Sequence, residues 1–159
     1  AVYSSPLRRA METAEIVASY HKLPVTALDG LKEIDAGKLD GLTYEEMREQ
    51  YPDFMATWTA DTLSAIIPGG ESVLHLQERA WQETSWLLKH HPQENVVAVS
   101  HNFTIISIVS RALGLPLASF RKLRCDPASL TVLELGEGWS SLERLNDRCH
   151  LSLRNPSTI

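Results

Sequence analysis

Cysteine is scarce in this sequence, which holds only Cys125 and Cys149 among its 159 residues. Two cysteines cannot form a disulfide framework, and no CxxC pair offers a structural metal site. We therefore expect two buried free thiols and a reducing compartment, the cytoplasm. No apolar run approaches the ~20 residues of a membrane helix, and no charged-then-apolar signal opens the chain. These absences predict a protein without a membrane span.

Positive charge is limited as well. Lysine and arginine total 15 against 20 aspartate and glutamate residues, which gives a formal net charge of -5. This balance argues against nucleic acid or an anionic membrane as the main partner. Any anion must therefore be bound by a few residues placed locally. The 43% of hydrophobic and 22% of charged residues are ordinary for a globular protein with one core.

The hydrophobic pattern alternates between strands and helices. Apolar runs at 1–4, 25–28 and 96–99 predict strands, and the last is apolar on both faces, so we expect a neighbouring strand on each side of it. Three- and four-residue spacing predicts helices at 6–21, 73–91 and 104–113, with Ser5 as the N-cap of the first. Thr43 and Glu46 have the spacing of a capping box for another helix. Residues 53–67 show only a weak pattern.

A β-hairpin is predicted near the C-terminus, where strands at 129–135 and 139–145 flank a glycine-bearing turn. Strands that alternate with helices and finish in a hairpin define an α/β fold class. We expect a three-layer sandwich in which a mostly parallel central sheet carries helices on both faces. Residues 1–159 should form a single domain.

Arg8 and Arg9 are predicted in the first turn of a helix, where the helix dipole disfavours cations. A helix N-terminus combined with a guanidinium offers donors and positive potential to a phosphate group. The pair is therefore a candidate phosphate site. Two solvated surface arginines are the alternative on this stretch alone.

His101 follows the predicted strand 96–99 at the point where a helix begins. Ligands of open α/β sheets bind beyond the carboxyl ends of the strands, and Arg8 and Arg9 lie at the same end of their own strand. If the two strands are parallel, these side chains converge on one edge of the sheet. A hydrogen-bonded structural histidine is the alternative. Glu33 lies in a glycine-containing loop, where an isolated glutamate is ordinarily solvated.

Five short segments follow one another in an order that is more specific than any one of them. They are Ser4-Ser5-Pro6-Leu7-Arg8-Arg9, Leu31-Lys32-Glu33 with Gly37 and Asp40-Gly41, Pro68-Gly69-Gly70-Glu71-Ser72, Val97-Ala98-Val99-Ser100-His101, and Leu145-Asn146-Asp147 with His150-Leu151. Together they resemble the histidine phosphatase superfamily, the phosphoglycerate-mutase-like proteins. The resemblance covers nearly the whole chain.

This resemblance implies phosphoryl transfer through a phosphohistidine, with no metal and no cofactor. By motif match, Arg9 resembles the phosphate-binding arginine, Glu33 the general acid, and His101 the second histidine that steadies the transferring group. Asn102, where the family commonly has glycine, is expected to lend its amide to the phosphate. The implied partner is a small phosphorylated substrate, with neither nucleic acid nor membrane.

One departure from the family pattern is large. The nucleophilic histidine of the family lies in an Arg-His-Gly motif ahead of the Ser-Ser-Pro-Leu segment, and the sequence contains no Arg-His-Gly. We expect that the first strand and helix of the domain are missing here. The 159-residue chain should then be unstable or associate through an exposed sheet edge, as in a homodimer, and should lack phosphatase activity.

Three functions fit this pattern. The short segment between Glu33 and Gly70 resembles that of the phosphatase branch and favours a phosphomonoesterase. Phosphoryl transfer of the phosphoglycerate-mutase type uses the same chemistry with a different acceptor. A non-catalytic or regulatory module that binds phosphate esters is the third reading, because it would retain Arg9 and His101 without a nucleophile.

Overall fold

The chain alternates strands and helices, as the sequence predicts. The computed structural model describes residues 1–152. The strands are β1 (Val2–Ser4), β2 (Val25–Ala27), β3 (Val97–Val99), β4 (Leu130–Gly136) and β5 (Trp139–Asp147). The α-helices are α1 (Arg8–His21), α2 (Tyr44–Gln50), α3 (Pro52–Ala60), α4 (Val73–His90), α5 (Asn102–Ala112) and α6 (Cys149–Ser152). Short 3-10 helices occur at Asp29–Leu31, Gly37–Leu39 and Leu117–Lys122.

Strand β1 is the centre of a three-stranded parallel sheet with the order β2-β1-β3. Val2 lies opposite Val25 on one side and Val97 on the other. All of β1 is buried, whereas Val97 of β3 is 39% exposed. Within the residues described, β3 therefore has one neighbouring strand, β1, and its other edge pairs with none of the described strands.

Side chains of β1 alternate between two layers of helices. Val2 packs against Ala14 and Ala18 of α1. On the opposite face of the sheet, Tyr3 packs in a cluster with Leu87 of α4. This alternation follows from the two-residue period of a strand. Helices therefore cover both faces, and the three-layer α/β sandwich is confirmed.

The C-terminal hairpin is also confirmed, with β4 and β5 paired in antiparallel fashion. The two strands form a sheet of their own and do not join the parallel sheet. Gly138 occupies the turn with φ +76°, a left-handed conformation that glycine adopts without a steric penalty.

The start of α1 differs from the prediction. The helix begins at Arg8, and Leu7 is its N-cap without a side-chain capping bond. The prediction that Ser5 is the N-cap is wrong. The Ser5 hydroxyl lies before the helix and is hydrogen-bonded to His101. Arg8 and Arg9 nevertheless lie in the first turn, as expected. The capping box of Thr43 and Glu46 is present at the start of α2.

Helix α3 escaped the sequence analysis. Met55 is its only buried residue, so its nine residues carry too little apolar contrast for a helical pattern to emerge. Phe54 and Trp58 lie one turn apart, with ring centroids 5.6 Å from each other.

The two cysteine thiols also differ from the expectation that both are buried, because Cys125 is half-buried and Cys149 is exposed.

Candidate active site at the carboxyl ends of β1 and β3

His101 is the N-cap of α5 and lies immediately beyond β3. It is 9% exposed, and its Nε2 is hydrogen-bonded to Ser5 Oγ at 2.8 Å. Burial, followed by the charges of Arg9 and Arg79, lowers the pKa of His101 to about 4. These causes all disfavour the imidazolium. The imidazole is therefore neutral at pH 7.

Ser5 is a site residue that the sequence analysis missed. It is fully buried just beyond β1, and its backbone N–H donates to the carbonyl of Val99 at 2.9 Å. Its Oγ accepts from the Leu7 N–H at 3.3 Å and is also hydrogen-bonded to His101 Nε2. Ser5 thereby joins the ends of β1 and β3. The available signal was its position, since the residue after a parallel strand faces the same sheet edge as His101.

The two arginines in the first turn of α1 have different surroundings. Arg8 Nε donates to Glu12 at 2.7 Å, and 92% of the Arg8 side chain is exposed. Within residues 1–152, the Arg9 guanidinium makes no hydrogen bond or ion pair, while its charge acts on His101. Only Arg9 therefore combines a free guanidinium with proximity to the buried histidine.

Glu33 lies between the loop after β2 and the start of α5. One carboxylate oxygen, Oε2, accepts from the Phe103 N–H at 3.3 Å, and Oε1 is 3.4 Å from the Thr104 hydroxyl. Oε1 also accepts from the Ile34 N–H at 2.9 Å. Phe103 is two residues beyond His101, so the structure brings Glu33 to the helix turn that His101 caps.

Asn102 is the first residue of α5, and its side chain is exposed. It lines an open cavity of about 330 Å³ together with Phe103, Trp58 and Arg121. The guanidinium of Arg121 lies 5.7 Å from the centroid of the Trp58 ring. The cavity beside Asn102 is therefore lined by both aromatic and polar groups, with the cation of Arg121 among them.

Glu71 and Arg79 also belong to this region, and the sequence analysis did not assign either of them. Arg79 Nη2 is 2.6 Å from Glu71 Oε1, and Glu71 is buried. Gly70, in the preceding turn, packs so tightly that a Cβ atom would collide with the carbonyl of Asp35. The turn that contains Gly70 therefore packs directly against the loop that carries Glu33. The sequence analysis had assigned no role to this turn.

Among residues 1–152, no three His, Cys, Asp or Glu side chains are grouped so that they could hold a metal ion. In the same part of the chain, no helix has both the length and the apolar composition of a membrane span.

Beyond the ends of the adjacent strands β1 and β3, the structure thus places an exposed arginine, Arg9, and a neutral buried histidine, His101. Residues 1–148 match the family model described as Histidine phosphatase superfamily (branch 1). The chain belongs to this superfamily.

Relatives and solved structures agree with this family. The chain is 33% identical to Phosphoserine phosphatase 1 of Hydrogenobacter thermophilus over 94% of its own length and 71% of that protein. It is 34% identical to a bifunctional protein of Mycobacterium tuberculosis over 95% of this chain, but it spans only 42% of that protein. A solved structure of YhfR from Bacillus stearothermophilus superimposes with a TM-score of 0.87 at 26% identity, covering 95% of this chain and 75% of the other.

Proposed function

We propose that this chain carries the phosphate-binding side and the acid of a phosphomonoesterase, which hydrolyses a small phosphorylated metabolite through a phosphohistidine. The observation that carries the proposal is the placement of Arg9 and His101 beyond the ends of two neighbouring strands. A free guanidinium and a neutral, serine-bound imidazole lie at adjacent strand ends, where a phosphoryl group would meet both. The superfamily match and the phosphatase named among the relatives support this reading.

In the first step, a histidine nitrogen attacks phosphorus, an N–P bond forms, and the P–O bond to the leaving group breaks. Arg9 stabilises the charge on the equatorial oxygens, and His101 donates a hydrogen bond to the same group. Protonated Glu33 gives its proton to the leaving oxygen. Its bonds to Phe103 and Thr104 are long, so one oxygen can turn towards the leaving group.

In the second step, a water molecule attacks the phosphohistidine. Its proton goes to the Glu33 carboxylate, the N–P bond breaks, and inorganic phosphate leaves. Glu33 is then protonated again for the next turnover. No metal ion or cofactor has a role in this scheme.

The nucleophile is the component for which the chain offers no family motif, since it has no Arg-His-Gly. We place it on a further strand of the intact protein that pairs with the free edge of β3. Support comes from β3 itself, which pairs only with β1 within residues 1–152 and ends at His101. A histidine at the end of such a strand would face Arg9 and His101 across the same sheet edge.

The substrate class follows from the cavity beside Asn102. Trp58 and Phe103 offer apolar contact to the leaving group, and the exposed Arg121 offers a cation to a carboxylate. A phosphate ester with an anionic leaving group, such as phosphoserine, fits this chemistry. The name of the Hydrogenobacter relative supports the same class.

The cytoplasm is the compartment that we propose for this protein. Two free thiols, one of them exposed, support a reducing compartment of this kind.

The decisive experiment compares Glu33→Gln with the wild type in the intact protein, using phosphoserine and p-nitrophenyl phosphate. An activated aryl oxygen needs little protonation, so kcat should fall about 100-fold or more for phosphoserine and far less for the aryl ester. Acid quenching with labelled substrate should trap an acid-labile phosphohistidine. Equal losses on both esters would remove Glu33 from the acid role.

Two controls separate the remaining functions. The 159-residue chain, tested beside the intact protein, should turn over neither ester. Activity in this chain would make His101 the nucleophile instead. If the intact protein binds phosphate, forms no phosphohistidine and hydrolyses nothing, it is a binding or regulatory module.

The role of Arg121 is tested with phosphoethanolamine, which lacks the carboxylate of phosphoserine. Arg121→Gln should raise KM for phosphoserine and leave KM for phosphoethanolamine unchanged.

A further inference from the structure

The guanidinium of Arg79 is completely used by its surroundings. It has five N–H donors, and the structure gives five hydrogen bonds. Nε and one Nη2 donor bind the two carboxylate oxygens of Glu71, at 3.0 and 2.6 Å. The other three donors reach the carbonyls of Gly30, Lys32 and Glu33, each at 2.9 Å. Three carbonyls of one loop are therefore bound to one side chain.

The same loop is held from two further directions. Ser100 and Thr104 donate from the opposite side to the carbonyls of Leu31 and Lys32, at 2.8 and 2.7 Å. Glu71 Oε1 accepts from the Asp35 N–H at 2.9 Å. The 30–35 loop is thus fixed between α4 and the start of α5.

The position of these contacts is what links them to the active site. Arg79 holds the carbonyl of Glu33 itself, and Glu71 holds the amide two residues later. The Glu33 side chain then extends to the first turn of α5, which begins at His101. A shift of this loop would move the Glu33 carboxyl relative to His101, although no contact between the two side chains would be broken.

We propose that Arg79, oriented by the buried carboxylate of Glu71, is the positioning residue that fixes Glu33 beside His101. The inference rests on the proposed function, in which Glu33 is the acid. Arg79 touches no reacting atom in this scheme, and its effect reaches the leaving group only through the loop. Burial of Glu71 makes the ion pair persistent, because a buried carboxylate without its guanidinium is strongly destabilising.

Lysine is the informative substitution. Arg79→Lys keeps the charge, but an ammonium has three donors and lacks the planar fork that reaches Glu71 and the loop together. In the intact variant, kcat for phosphoserine should fall by about tenfold or more beyond the fall for p-nitrophenyl phosphate, as for Glu33→Gln. The dissociation constant of inorganic phosphate should stay within about twofold, because Arg9 and His101 are untouched.

Gln77→Leu provides a matched control on the same helix. The Gln77 amide is buried and donates to the carbonyl of Ser107 at 3.0 Å, so its loss weakens α4 without touching the 30–35 loop. This variant should lose activity equally on both esters. If Arg79→Lys behaves in the same way, or loses phosphate affinity, Arg79 is only structural and the proposal is wrong.

Amide hydrogen exchange supplies a readout that does not need turnover. Arg79→Lys should speed exchange at Ile34 and Asp35 by about tenfold or more relative to the Ser5 amide, which lies outside the loop. Unchanged exchange at Ile34 and Asp35 would overturn the proposal even in an active enzyme. A third outcome is that the wild-type protein hydrolyses neither ester, while Arg79→Lys still speeds exchange at Ile34 and Asp35. Arg79 would then position the loop as proposed, and the proposed phosphatase function would be wrong.

Discussion

The two sides of the candidate site are built in opposite ways. On the side of Glu33, the 30–35 loop has its backbone bonded to Arg79, Glu71, Ser100 and Thr104. On the side of α1, the Arg9 guanidinium has no partner within residues 1–152. The difference indicates a division of roles. Under the proposed mechanism, the side of Glu33 is organised before the substrate arrives, whereas Arg9 would obtain its partner from the anion that binds.

Removing the free cation should have the largest effect. Under the proposed mechanism, Arg9→Gln in the intact protein deletes the positive charge that stabilises the phosphoryl oxygens, so kcat/KM should fall by about 100-fold or more, roughly 3 kcal/mol of transition-state stabilisation. Steady-state kinetics and calorimetry of inorganic phosphate measure the loss. Arg8→Gln is the matched control, because Arg8 is paired with Glu12 at the surface. Equal losses in the two variants would contradict the division of roles.

Acid pH should weaken the fold through His101. Its pKa is about 4 in the folded protein and about 6.5 unfolded, so the unfolded chain binds more protons between these values. Stability is therefore complete above pH 6.5 and is lost as the pH falls towards 4, by on the order of 3 kcal/mol. Arg9 and Arg79 are the charged groups that act on this imidazole. Denaturant unfolding from pH 7 to 4 measures the loss.

His101→Asn isolates this contribution, since its difference from the wild type should shrink as the pH falls from 6.5 to 4. An imidazole titration by NMR gives the same answer directly. Bound phosphate should raise the pKa of His101, because a nearby anion favours the imidazolium. A histidine that titrates near 6.5 in the free protein would show that burial and the two arginines do not act on it as described.

Crowding the 30–35 loop, which carries Glu33, should have a smaller effect on the free energy of unfolding. In Gly70→Ala the new Cβ would meet the carbonyl of Asp35, and overpacking of this kind costs about 1–3 kcal/mol. The loss should appear in the free energy of unfolding and in faster amide exchange at Asp35. Gly41→Ala is the contrast, because its Cβ meets open space and only its φ of +78° is strained. It should leave exchange at Asp35 unchanged.

The features that the sequence predicted correctly differ in kind from those that it did not predict. Local signals gave the capping box of Thr43 and Glu46, the alternation of strands and helices, and the position of His101 at a strand end. Ser5 and Arg79 were missed because their roles depend on partners 96 and 46 positions away, His101 and Glu33. Periodicity and capping rules report on neighbours within a few residues, and long-range hydrogen bonds leave no such pattern.

Helix α3 and strand β3 show a second limit. Their surfaces are only partly covered within the described residues, so burial does not follow simply from composition. For α3, the apolar residues are not concentrated on one face, so no helical pattern emerged. For β3, the continuous apolar run indicates a strand that favours burial, whereas Val97 and Ala98 are exposed within the described residues.

The smallest effect is expected for the ion pair beside the free cation. Glu12→Gln removes the partner of Arg8, but 92% of the Arg8 side chain is exposed, and an exposed i,i+4 pair contributes about 0.3–0.5 kcal/mol. Stability should therefore change by no more than about 0.5 kcal/mol in urea titrations. Affinity for inorganic phosphate should also stay the same, because Arg9 already has a free guanidinium and gains nothing from the release of Arg8. Tighter phosphate binding by Glu12→Gln would mean that Glu12 competes with the anion for Arg8, and the phosphate site would then include both arginines.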